Sequence, residues 1–177
     1  MVTVNFADHL SFDMYPTDSG YYADQSGPQV VAPGDRISVS ATGDEIPAFS
    51  AAIVEPSPLR LTSPAVGDYG ELAVLDNADL ELTFTGGAPG VQLGVTSQGG
   101  YTTGGTFLMQ CSYASQAGRA LIPKGALYYS SYVSLHAYRE KAIPTGAYAI
   151  DLIAQNALLD AAGVNGVHID VVWTGMP

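Results

Sequence analysis

The sequence predicts an all-β chain: a single antiparallel β-sandwich, immunoglobulin-like or jelly-roll in type, with at most one or two short helices. Three observations lead there. Short segments alternate apolar and polar residues, as in Ile37-Ser38-Val39-Ser40-Ala41, Leu80-Glu81-Leu82-Thr83-Phe84, Tyr148-Ala149-Ile150-Asp151-Leu152 and Val167-His168-Ile169-Asp170-Val171-Val172-Trp173. A period of two places every second side chain on one face of a strand, so one face is buried and the other wetted. Gly and Pro punctuate the segments at short spacing, and no long helical period occurs, which is the pattern of sandwiches and barrels.

Residues 2–6 read as a first strand. The stretch from Asp13 to Asp24, with Pro16, Thr17, Asp18, Ser19 and Gly20, reads as a loop of turn formers. Residues 1–35 are therefore the least regular part, an irregular N-terminal extension of one domain covering 1–177. The turn Ala32-Pro33-Gly34-Asp35 introduces a strand over 36–41. A strand over 48–55 ends at Pro56, because proline has no backbone donor for a ladder, or else lies at an edge. Further strands fall at 59–62, 72–75 and 80–85. Gly86-Gly87-Ala88-Pro89-Gly90 reads as the turn of a hairpin into 91–96.

A glycine loop at 99–105 precedes a strand over 106–113, which places Phe107, Met109, Cys111 and Tyr113 on one face. Lys124-Gly125-Ala126-Leu127 is one helical turn. Strands over 131–139, 147–155 and 166–173 close the chain. Between the last two, residues 156–163 fit either a short helix, capped by Asn156 and stopped by Gly163, or a strand extension and loop.

Composition narrows the function. The net charge is −11, from 17 acids and 6 bases. Nucleic-acid binding needs a cationic footprint, and the six bases are scattered, so no nucleic-acid partner is expected. No apolar run approaches the roughly 18 residues of a membrane span. The single cysteine, Cys111, excludes an intramolecular disulfide. The charged fraction is 13%, against about 25% in an average globular chain. Low charge with abundant Ser, Thr, Gly and Tyr is common in extracellular β-domains. Residues 1–6 hold neither a basic nor an apolar leader region. The expectation is a mature exported domain whose leader has been removed, placed outside the cell, in the periplasm or on the cell surface.

Several stretches carry a resemblance. They are Pro47-Ala48-Phe49-Ser50-Ala51-Ala52-Ile53-Val54-Glu55-Pro56, the segment 80–85, Cys111-Ser112-Tyr113 with Gly118, Ile122-Pro123 and Leu127, and Gly146-Ala147-Tyr148. Over residues 30–155 the chain resembles uncharacterised exported or lipid-anchored bacterial proteins with immunoglobulin-like sandwiches. The resemblance implies fold and export, and transfers no catalytic residue.

Catalytic chemistry finds little support. His9, His136 and His168 lack the spacing of a zinc site. There is no Gly-x-Ser-x-Gly elbow, and Cys111 alternates with apolar residues, so it is expected to be buried and inert. No catalytic residue is assigned. Calcium is the one cofactor the sequence offers: Asp13, Asp18 and Asp24 lie close together in a flexible segment, and hard cations take clustered carboxylates. The competing reading is aspartates that bond their own turns. Tyrosine is the strongest binding signal. Tyrosines cluster at Tyr21-Tyr22 and again at Tyr128-Tyr129 with Tyr132, and tyrosine joins a flat apolar face to a polar tip.

The leading expectation is a non-catalytic exported bacterial domain that binds a surface partner or joins a cell-envelope or extracellular assembly. A carbohydrate-binding module with structural calcium is the alternative, and a glycan hydrolase the second alternative. The partner is a protein or glycan surface; the oligomeric state stays open.

Overall fold

A computed structural model describes residues 1–6, 10–16, 22–24, 31–43, 47–75, 78–100, 106–127, 130–145, 148–163 and 166–172. The chain is nearly all β. Its strands are β1 (Val2–Phe6), β2 (Leu10–Pro16), β3 (Tyr22–Asp24), β4 (Arg36–Ala41), β5 (Phe49–Val54), β6 (Leu59–Ser63), β7 (Glu71–Leu75), β8 (Leu80–Thr85), β9 (Gln92–Gly100), β10 (Thr106–Ala114), β11 (Arg119–Ile122), β12 (Ser130–Thr145), β13 (Tyr148–Leu159) and β14 (His168–Val172). A 3-10 turn at Ser115–Ala117 and a four-residue helix α1 at Lys124–Leu127 complete the described elements. None of the described helices is long and apolar enough to cross a membrane.

Packing divides the chain into two compact units, residues 1–56 with 139–154 and residues 57–138 with 155–177. The divisions fall inside β12 and β13.

The first unit holds a five-stranded antiparallel sheet in the order β3-β2-β1-β4-β5. Its register sets Val4 beside Val39, Val39 beside Ala51, and Ile37 beside Ile53. Thr3, Ser38, Ser40, Ser50 and Asp13 alternate with these on the other face. The alternation read in 36–41 is therefore the two faces of β4. The segment from Asp13 is a correction: residues 13–16 lie in β2 and residues 22–24 in β3. Residues 1–35 thus contribute three strands of a regular sheet. Counting turn formers missed β2, whose Leu10, Phe12 and Met14 alternate with Ser11 and Asp13. At the far side of the sheet β5 is the edge strand, and it stops at Val54, two residues before Pro56.

The second unit contains most of the apolar core. The path β10-β9-β12-β13-β6-β8-β11 has two arms, with β14 added on β12 and β7 on β14. Apolar residues of both arms meet in one cluster. Leu59, Leu61, Leu82, Phe84 and Ile122 come from β6, β8 and β11; Leu93, Val95, Val133, Leu135 and Ile169 come from β9, β12 and β14. Cys111 and Tyr113 of β10 pack against it, half-buried.

Two expectations are corrected here. β14 runs parallel to β7, and β13 parallel to β6, so the pairing is not wholly antiparallel. Residues 86–90 do not close a hairpin: β8 pairs β6 and β11, whereas β9 pairs β10 and β12. This loop instead crosses from one arm to the other. Its crossing is pinned by buried Ser115, whose Oγ lies 3.2 Å from both the N and the O of Ala88. Gly87 has to be glycine, because a Cβ there would strike the Ser115 carbonyl. Residues 156–159 extend β13 as strand, and the chain then turns at Gly163 (φ 81°).

Leu82 is fully buried at the centre of β8, whereas Leu121 of β11 is 56% exposed. Leu82→Ala is expected to cost about 2–5 kcal/mol and Leu121→Ala about 0.5 kcal/mol or less in urea unfolding. Equal losses would contradict the assignment of the core.

Candidate functional site

A concave surface lies along the seam between β10 and β11. Tyr113 is the register partner of Leu93, which puts it on the core-facing side of β10. The chain then makes the 3-10 turn and reverses at Gly118, whose φ of 66° suits a residue without Cβ. The Gly118 carbonyl accepts the Phe84 N–H at 2.9 Å, which starts the pairing of β11 with β8. β11 ends the strand path, so among the described residues no strand pairs its other side.

There the Tyr113 hydroxyl donates to the Leu121 carbonyl at 2.7 Å. Its phenol is held above its ordinary pKa, first by burial and then by the negative charge Cys111 would carry. The bond thus keeps its donor through the physiological range. Glu81, Tyr113, Ala117, Arg119, Ala120 and Leu121 line a groove of about 470 Å³ along this seam. One cation, one anion and an exposed leucine beside an unpaired strand edge suit a peptide backbone with an apolar side chain.

A second cleft, of about 290 Å³, lies between Leu61, Thr62, residues 64–66 and residues 160–162. Its lining is short and mainly apolar, with the single acid Asp160. Each of these two clefts has one carboxylate among its lining residues, Asp160 in this one and Glu81 in the seam groove.

The outward face of β9 and β12 carries an aromatic pair. His136 and Tyr138 have ring centroids 5.7 Å apart with planes tilted by 47°. Gly94 is the register partner of His136, and a Cβ there would run into the imidazole Nε2. The ring therefore lies across the bare strand. Burial holds His136 below its ordinary pKa, which keeps the imidazole neutral at pH 7.

In the first unit the backbones of Asp35 and Glu55 are bonded to each other. Glu55 is only 7% exposed. Its pKa is raised, first by burial and then by the charge of Asp35. Asp35 is fixed by its own turn: its Oδ2 accepts the Ala32 N–H at 2.9 Å. The Asp35 carbonyl accepts the Glu55 N–H at 2.8 Å, and the Glu55 carbonyl accepts the Gly34 N–H at 3.0 Å.

Asp13 of the expected calcium cluster accepts the Thr3 hydroxyl at 2.7 Å, as its cross-strand partner in β2–β1. Asp24 pairs with Met14 in register, and Asp18 lies outside the described residues. Among the described residues no group of three His, Cys, Asp or Glu is placed to hold a metal. Tyr22 pairs with Pro16, and Tyr132 with Gln98 and Asp170. Tyr21, Tyr128 and Tyr129 lie outside the described residues.

The seam and the His136 face were not singled out by the sequence reading. Both left a signal: Ala120, Leu121 and Ile122 are three apolar residues in a row on one short strand, and Gly94 is an isolated glycine inside a strand, a mark of close approach. Comparison of the chain with protein families, curated proteins and solved structures found no match.

The Glu55 shift has a signed consequence. With the folded pKa raised, its contribution to stability is whole below the ordinary carboxylate pKa of about 4.3 and is lost as pH rises through the raised value. Glu55→Gln is therefore expected to need more urea than the native protein at pH 7, with the gain vanishing at about pH 4. A variant less stable at pH 7 would contradict this, and urea midpoints across pH measure it.

Proposed function

We propose that this chain is a non-catalytic, exported bacterial domain that docks a protein partner in a cell-envelope or extracellular assembly. We further read its larger unit as a β-sandwich, immunoglobulin-like or jelly-roll in type. The observation that carries the docking reading is the seam groove. It joins a strand edge that no described strand pairs to Leu121, an exposed leucine whose neighbours Ala120 and Ile122 face the core.

An edge strand is costly to leave open, since its free N–H and C=O groups template further pairing. Here one carbonyl is occupied by the Tyr113 hydroxyl, a contact that an incoming strand can replace. The occupant that fits is an extended segment of another protein, laid beside β11, with an apolar side chain against Leu121. Arg119 and Glu81 flank the groove and would fix its direction. Export is supported by composition and by the resemblance of residues 30–155.

A photo-crosslinking amino acid at position 121, compared with one at exposed Glu140, tests this in the producing cell. One discrete adduct is expected at position 121, none at 140, and its loss in a Leu121 crosslinker protein that also carries Arg119→Glu. Equal labelling at the two positions contradicts the reading.

A further inference from the structure

We propose that the outward face of β9, β10 and β12 is a second binding site, for a neutral saccharide, with His136 and Tyr138 as its aromatic wall. It goes beyond the docking reading: it lies on other strands and does not depend on the seam.

The register builds the face in three rows. Ser112, Gly94 and His136 are partners across the three strands; Ala114, Gln92 and Tyr138 form the row on one side; Gln110, Thr96 and Ser134 form the row on the other. Neighbouring positions in such rows stand about 4.5–5.5 Å apart. Not one of the nine positions is Asp, Glu, Lys or Arg. Burial keeps the His136 of this face neutral at pH 7 as well.

Charge complementarity then selects the occupant. A phosphate, an acidic glycan or a nucleic acid needs a cation, and a basic peptide needs a carboxylate; the face supplies neither. It supplies hydroxyls, carboxamides, an imidazole and two rings, the set that recognises a polyhydroxylated ligand with apolar C–H faces.

The wall is already held in place. Gly94 leaves room for the His136 ring to lie across the strand. The Tyr138 hydroxyl bonds Gln92 Oε1 at 3.2 Å, and the Ser134 hydroxyl donates to the Thr96 carbonyl at 3.3 Å. Ser112 and Gln110 of β10 are exposed on the open side. On the other side the next register partner, opposite Ser134, is His168 of β14.

The test is an amide chemical-shift titration of the whole chain with maltohexaose, cellohexaose, xylohexaose and mannohexaose, and with polygalacturonate as the anionic probe. At least one neutral oligosaccharide is expected to move the Gly94, Ser112 and His136 amides. Its Kd is expected to rise at least tenfold in Tyr138→Ala. Ser112→Arg, at an exposed position that leaves the core untouched, is expected to do the same by filling the open side. Arg119→Glu is expected to leave sugar binding unchanged while removing the position-121 adduct, so the two sites fail separately. Four results overturn the proposal: no movement on this face with any neutral probe, polygalacturonate binding as tightly, an unchanged Kd in Ser112→Arg, or shifts that track protein concentration without sugar, which would mark a face between two copies.

Discussion

One apolar cluster constrains everything else in the larger unit. Leu59, Leu61, Leu82 and Ile122 from one arm of the strand path, and Leu93, Val95, Val133 and Ile169 from the other, lose nearly all contact with water together. Neither arm can bury its own apolar face alone, since a single sheet has nothing on that side to cover it. Once the arms meet, side-chain direction is fixed along every strand by the period of two. Residues with chemical potential are sorted by the same rule. Cys111 and Tyr113 fall on the core side, whereas Ser112, His136 and Tyr138 fall outside.

At the strand edges that sorting reaches its limits. β11 ends the path, and the Tyr113 hydroxyl covers its Leu121 carbonyl. β5 ends the other sheet, and the Lys141 ammonium reaches the Ala52 carbonyl at 3.0 Å. A lysine over an edge discourages pairing, because a second strand would have to displace a hydrated charge. A phenol from the chain's own core side is a softer cover. The two edges are therefore unequal, and the one with the exposed leucine is also the one with the weaker guard.

Much of the fold was legible because most strands bury one face only. Residues 36–41 and 80–85 show their alternation openly, and the helical turn expected at 124–127 is α1. β2 was hidden because Asp13 and Pro16 are turn formers, yet Asp13 sits on the hydroxyl face opposite Thr3. β12 runs on to Thr145 through Arg139, Glu140 and Lys141, a charged stretch that reads as a strand end. Which strand pairs with which leaves no local trace, so the parallel pairs and the crossing at residues 86–90 were out of reach. The sites share this difficulty. Tyr113 and Leu121 meet across a turn, and Gly94 matters only because β12 brings His136 beside it.

The central claim is that both arms of the larger unit are held by one shared core. Native-state hydrogen exchange measures it directly, through the opening free energies of the amides of Leu82 in β8 and of Leu93 and Leu135 in β9 and β12. A single cluster predicts one cooperative opening, with the three values agreeing to within about 0.5 kcal/mol and falling together as urea is added. Values that differ by about 2 kcal/mol or more, with one arm opening while the other stays protected, would contradict it.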